Sequence, residues 1–186
     1  MSVQQKVKKG NVLIAKPFLG DPNFERGVIL ICEHQGPGTF GFVLNQVTEL
    51  FLGDVLEETV YQDVPLHLGG PVEKNTLHFI HRRPDLIGGG TEILNGVYWG
   101  GDFESVQQLL NLNTIGEKDI MFFIGYSGWD EGQLEDELSQ DSWIVSDTTA
   151  DFLFTTAPDQ FWRDILRGMG GEYRSMAHYP TDPRLN

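Results

Sequence analysis

A chain of 186 residues, 40% hydrophobic and 22% charged, has the size of one globular domain that buries its core without disulfide or metal staples. Its formal net charge of −14 disfavours nucleic acid, because each phosphate contact needs a Lys or Arg and the 13 present form no long basic stripe. A single cysteine, Cys32, leaves no intramolecular disulfide, and no apolar run approaches the roughly 18 residues of a membrane span, so the expected location is cytoplasmic.

In chain order, Met1–Gly10 is polar, lacks the apolar core of a signal peptide and reads as a flexible tail. Asn11–Lys16 is a first strand, followed by a loop broken by Gly20 and Pro22. Gly27–Cys32 is a continuous apolar, β-branched strand, and Thr39–Leu44 returns antiparallel to it across Gly36-Pro37-Gly38. Leu50–Glu58 carries Phe51, Leu52, Val55 and Leu56 at helical spacing. Pro65–Leu68 is a short strand that runs into Gly69-Gly70-Pro71-Val72, and Thr76–His81 is a half-buried strand ended by Arg82-Arg83-Pro84.

Glu92–Leu94 and Val97–Trp99 flank Asn95-Gly96, a pair suited to the two positive-φ sites of a type I′ hairpin turn. Asp102 caps a helix through Leu110. The most ordered-looking unit comes next. Ile120–Ile124 reads as a buried strand, Gly125-Tyr126-Ser127-Gly128-Trp129 as a glycine turn, and Asp130 as the cap of an acidic helix, with Gln133 reaching back in a capping box and Leu134 and Leu138 facing inward. Trp143–Val145 is a strand, Ala150–Phe154 begins a helical segment, and Gln160–Arg167 is a last helix stopped by glycines.

The predicted architecture is α+β: a mostly antiparallel, strongly curved sheet with a few packed helices, closed like a barrel to hide its strand edges. One domain spans residues 11–174, between tails at 1–10 and 175–186.

Four stretches together resemble the YqgE/AlgH family of bacterial proteins. They are Asp21-Pro-Asn-Phe24 with Arg26; Cys32-Glu-His34 followed by Gly41-Phe-Val-Leu-Asn45; Leu68-Gly-Gly-Pro-Val72; and Gly125-Tyr-Ser-Gly-Trp129 with Gly132-Gln-Leu-Glu135. The resemblance covers most of Leu13 to Trp162 and implies an α+β sheet bent into a pseudo-barrel. It also carries a transcriptional-regulator label, against which no helix-turn-helix or zinc-finger pattern is present. It brings no reaction with it.

Catalytic candidates are Cys32, His34 and Ser127. Two residues apart on a strand, Cys32 and His34 would share a face with Cβ atoms roughly 6–7 Å apart, the setting for a thiolate nucleophile; the competing reading makes Cys32 a small core residue. Ser127 lies in a stretch superficially like the Gly-x-Ser-x-Gly elbow that does not match it, because Trp129 stands where the last glycine belongs. Ligand-binding candidates are Asp21, Arg26, Asn45, Gly69, Gly70, Pro71, Gly125, Tyr126, Ser127, Gly128 and Trp129. For the glycines the alternative is close backbone packing, and for Asp21 with Arg26 an ion pair that holds a loop. His67, His78 and His81 lack metal-site spacing, so no metal and no cofactor is predicted. The absence of a complete catalytic set favours a non-enzymatic module that binds an unknown small molecule or protein through the glycine-motif surface over an enzyme using Cys32, His34 or Ser127, and the acidity disfavours a transcriptional regulator.

Overall fold

The computed structural model describes residues 6–56, 63–182 and 184. Its strands are β1 (Val12–Ala15), β2 (Val28–Gln35), β3 (Gly38–Val43), β4 (Val47–Phe51), β5 (Pro65–Leu68), β6 (Val72–His81), β7 (Thr91–Leu94), β8 (Val97–Trp99), β9 (Ile120–Asp130) and β10 (Trp143–Ser146). Its helices are α1 (Leu52–Val55), α2 (Phe103–Asn111), α3 (Gln133–Ser139), α4 (Ala150–Thr155), α5 (Phe161–Met169) and α6 (Gly171–Met176), with a 3₁₀ turn at Pro158–Gln160.

The strands pair in the order β10-β1-β2-β3-β9-β6-β8-β7, with β5 beside β9 and β4 beside β5. Every ladder is antiparallel except β5–β9. Among the described residues no ladder joins β10 to β7. The fold is therefore a mostly antiparallel α+β sheet, and its pairing does not supply the barrel closure expected from the sequence.

Alternation along the strands sends side chains to two sides. On one side Ile14, Leu30, Phe42, Met121 and Phe123 meet α4 and α5 through Phe154, Phe161, Trp162 and Leu166, with Tyr173 and Met176 of α6 packed against the same cluster. On the other, Leu13, Ile29, Ile31 and Val43 pack under Leu134 of α3, while Leu66, Phe79, Ile120 and Phe122 pack under Val106 and Leu110 of α2. Val7, inside the stretch read as a tail, is buried in the cluster under α3.

Several elements differ from expectation. The Leu50–Glu58 helix is only Leu52–Val55, preceded by β4; Glu57 and Glu58 lie outside the described residues. At the β7–β8 turn only Gly96 of the pair takes a positive φ, 80°, so the turn is not type I′, and the ladder shifts register between Glu92 and Leu94. Past α5 the chain bends at Gly170 (φ 72°) into α6, so Gln160–Arg167 is not the last helix.

The largest difference concerns Gly125–Trp129, which is strand and not turn. From Ser127 to Asp130 the backbone is claimed by β3, with Ser127 opposite Gly41 and Asp130 opposite Gly38, so the chain stays extended. The helix starts later, with Gly132 (φ 81°) at its cap instead of Asp130. Half of the expected capping box exists: the Asp130 N–H donates to Gln133 Oε1 at 3.0 Å.

The glycines of this region serve a chain crossing. At Ile124, β9 has β5 on one edge (Leu68) and β6 on the other (Leu77). Only Gly69, Gly70 and Pro71 join those two strands, so they must pass over the face of β9. The Gly69 N–H donates to the Ile124 carbonyl at 2.9 Å. A Cβ on Gly69 would lie 2.4 Å from the Gly125 oxygen, and one on Gly70 would lie 2.2 Å from the Tyr126 carbonyl. Gly125 itself takes φ 67°.

On the opposite side, Glu137 of α3 ties the helix to the sheet. Its Oε2 accepts from the indole N–H of Trp129 at 3.0 Å and of Trp143 at 2.7 Å, and its Oε1 accepts from Gln133 at 3.1 Å.

Gly70→Ala is expected to destabilise the protein by about 3 kcal/mol, the upper end for overpacking against atoms that cannot move aside. Gly116→Ala, with open space around it, should stay within about 0.5 kcal/mol of wild type in the same urea titration. Glu137→Ala strands two indole donors and should cost about 2 kcal/mol by the same measurement.

Candidate functional site

Four consecutive strands of the sheet, β3, β9, β6 and β8, border a cleft of about 730 Å³ on the face toward α4–α6. Phe40, His78, Trp99 and Tyr126 are half-buried around it. Phe40 is the hub. Its ring centroid lies 4.9 Å from Trp99 and 6.1 Å from Tyr126, edge to face in both cases. The His78 ring stands edge to face with Tyr126 at 6.0 Å. Burial lowers the pKa of His78, with Glu73 opposing, so the ring is neutral at pH 7, and its Nε2 lies 3.0 Å from Thr76 Oγ1.

Two backbone irregularities build this arrangement. Gly125 breaks the alternation of β9. Ile120, Phe122 and Ile124 face α2, yet Tyr126 packs with Phe123 on the side of α4–α6. A bulge between Ile31 and Glu33 does the same in β2: Ile31 pairs with Gly41 and Glu33 with Phe40, leaving Cys32 as the extra residue. Glu33 is thereby turned to the face of Phe40, its cross-strand partner. Gly128 lies opposite Phe40 on β9 and bears no side chain to fill the space beside Tyr126.

The bulge also separates the catalytic candidates. Cys32 is 1% exposed within the main core, its Sγ donates to the Leu30 carbonyl at 3.7 Å, and burial, helped by the charge of Glu33, pushes its pKa well up. His34 turns to the other side of the sheet, with Nδ1 at 2.6 Å from Thr39 Oγ1 and Nε2 at 3.8 Å from Glu135. The shared face expected for Cys32 and His34 is therefore lost. Ser127 is fully buried, and its hydroxyl donates to the Gly69 carbonyl at 3.0 Å. Cys32, His34 and Ser127 do not converge, and only His34 borders any of the larger clefts.

The ligand-binding candidates divide. Tyr126, Gly128 and Trp129 line the aromatic cleft. Gly69, Gly70, Pro71 and Gly125 form the crossing, and none of them lines it. Arg26 and Asn45 border a separate cleft of about 390 Å³ with Trp162 and Arg163. Arg26, at φ 52°, places its guanidinium 4.7 Å from the Trp162 ring and donates to the Tyr179 carbonyl at 2.6 Å. Asn45 holds that loop, accepting from the Val28 N–H at 2.9 Å and donating to the Arg26 carbonyl at 2.8 Å. The expected Asp21–Arg26 pair is not formed: Asp21 accepts from the Asn23 N–H at 2.9 Å instead.

Of the three histidines weighed for a metal, His67 and His81 are engaged locally. His67 Nδ1 donates to the Phe122 carbonyl at 3.2 Å. His81 accepts from the Arg83 N–H through Nδ1 at 3.2 Å and donates through Nε2 to Gly100 at 3.1 Å. Sequence reasoning passed over Glu33, Phe40, His78 and Trp99 as a group, because their meeting depends on pairing register and on a bulge. The available signal was Phe40-x-Phe42 on a strand, which places two rings on one face.

A family model described as AlgH-like matches residues 12–174. The chain belongs to the AlgH-like family. A UPF0301 protein of Cytophaga hutchinsonii is 45% identical over 179 residues, covering 96% of this chain and 98% of the relative. One of Chlorobium limicola is 43% identical, covering 97% of each. The solution structure of the AlgH protein from Pseudomonas aeruginosa superposes with a TM-score of 0.73 at 26% identity, covering 95% of this chain and 98% of AlgH. A crystal structure from Corynebacterium diphtheriae gives a TM-score of 0.77 at 22% identity, covering 94% of each, and shares the fold.

Cys32 in the folded AlgH-like chain should resist a disulfide exchange reagent at pH 8, reacting at least about 100-fold more slowly than in urea. Modification at the unfolded rate would place the thiol on an accessible surface.

Proposed function

We propose that this chain is a binding module and not an enzyme, and that the aromatic cleft takes a small molecule or a short segment of a partner protein. The observation that carries this reading is the cleft itself. Its volume falls within the roughly 300–1,000 Å³ of ligand sites, and its walls combine aromatic rings with a few polar groups. The separation of Cys32, His34 and Ser127 supports the non-enzymatic half, since catalytic partners need hydrogen-bond reach. A net charge of −14 favours protein or small-molecule contact over the DNA backbone for any regulatory role. Among the described residues no helix is long and apolar enough to cross a membrane. With the single cysteine, that supports a cytoplasmic setting.

Gly128→Val supplies the test, because its side chain projects into the cleft, where a Cβ meets the Tyr126 ring edge at 3.4 Å and the Thr39 oxygen at 4.0 Å, both ordinary contacts. A metabolite screen read by thermal unfolding should yield a ligand that stabilises wild type by about 2.7 kcal/mol at a hundred times its Kd. The amide signals of Phe40, Trp99 and Tyr126 should move on binding, and Gly128→Val should abolish both effects while keeping the wild-type spectrum elsewhere. A stabilising ligand that leaves those signals still, and binds Gly128→Val equally well, would overturn the reading.

A further inference from the structure

We propose that the cleft is an organic-cation site, taking a guanidinium or alkylammonium head against the rings of Phe40, Trp99 and Tyr126 with Glu33 as its counter-charge. This rests on the binding reading above and names the chemistry of the ligand.

The argument begins with charge. Glu33 and Asp130 line the cleft, while no lysine or arginine does. Among the described residues neither carboxylate makes an ion pair within 4.0 Å. Asp130 also borders a neighbouring cleft that holds Lys6, Lys8 and Lys9, so its field is partly balanced there; Glu33 does not border that cleft. Glu33 is thus the uncommitted charge, and its place is not incidental. In a regular strand it would face α3 with Ile31; the bulge at Cys32 turns it beside Phe40. An anion entering here meets two carboxylates and no cationic side chain.

The rings supply the second half. A cation over an aromatic face is attracted by the ring quadrupole, by about 0.5–1 kcal/mol at exposed sites and more when water is excluded. Because Trp99 and Tyr126 both stand edge to face against Phe40, the three rings do not stack into a closed slab. His78 contributes a neutral ring and no competing charge. Rings together with a carboxylate select a soft, weakly hydrated cation over a bare metal ion, which would demand several oxygen ligands. Among the described residues no group of three metal-binding side chains is present.

The test uses isosteric pairs on the full chain: choline against 3,3-dimethylbutan-1-ol, and the acetylated peptide Gly-Arg-Gly amide against its citrulline analogue. Shifts of the Trp99 indole and Tyr126 signals report occupancy. The cationic member of at least one pair should bind roughly tenfold more tightly than its neutral partner. Glu33→Gln should weaken it about fivefold, the size of a partly exposed ion pair, and 0.5 M NaCl should weaken it further. Preference for choline assigns a free small cation as the source, and preference for the arginine peptide a partner segment. Equal binding of cation and isostere, or a Glu33→Gln protein that binds both cations unchanged, overturns the proposal. If neutral compounds occupy the cleft and no cation does, the cation assignment fails while the binding-module reading stands. If no probe of any charge moves the cleft signals, both fail.

Discussion

The structure depends on one steric constraint: a three-residue link has to pass over the face of a central strand. β9 separates β5 from β6, which Gly69, Gly70 and Pro71 alone connect, so the two strands form a hairpin split by a third. Two backbones approach closely enough that a Cβ at Gly69 or Gly70 would sit 2.2–2.4 Å from a carbonyl group. Hydrogen bonds then lock what the missing side chains permit. The Gly69 carbonyl accepts both the Val43 N–H at 2.8 Å and the Ser127 hydroxyl at 3.0 Å. Ser127 is buried for this reason, which explains a serine between glycines without any nucleophile.

Downstream of the crossing, β9 exchanges its neighbour on one edge. Residues 122–124 pair with β5 and residues 127–130 with β3. One strand therefore belongs to two halves of the sheet, and Gly125 at φ 67° marks the exchange. A β-branched residue would oppose that conformation, and any Cβ there would meet the Gly70 oxygen at 2.7 Å. The same glycine shifts the parity of the residues after it, so Tyr126 joins the face of Phe123. Crossing, edge exchange and aromatic cleft are consequences of the same few residues.

The sequence made the elements legible wherever local chemistry decides. The Val28–Cys32 apolar run, the Asp102 cap donated to by the Glu104 N–H at 3.3 Å, and the inward Leu134 all come from period, cap or pattern. It misled where tertiary pairing overrides local preference. Gly125-Tyr-Ser-Gly has turn residues, but β3 offers the backbone from Ser127 onward a ladder, which pairs donors that a turn would leave to water. The reading of Gly69 and Gly70 as a place of close backbone approach was available from composition alone. That the partners are Gly125 and Tyr126 was not, since it depends on the order of β5, β9 and β6. Half of the capping box survived because Gln133 still reaches the Asp130 N–H, although the helix begins beyond Asp130.

Cys32 and Glu33 show how a single inserted residue trades one chemistry for another. Regular alternation would place Cys32 and His34 on one face, and Glu33 on the other with Ile31. The bulge leaves the thiol in the core, sends the imidazole toward Thr39, and turns the carboxylate toward Phe40. A buried neutral thiol pairs with nothing charged, whereas an exposed carboxylate beside an aromatic hub keeps its access to solvent. The irregularity thus removes the shared face a Cys–His pair needs and sets a carboxylate beside an aromatic ring. Bulges add an unpaired residue and disrupt the ladder. Here that cost coincides with the one change of face that brings a carboxylate to the rings.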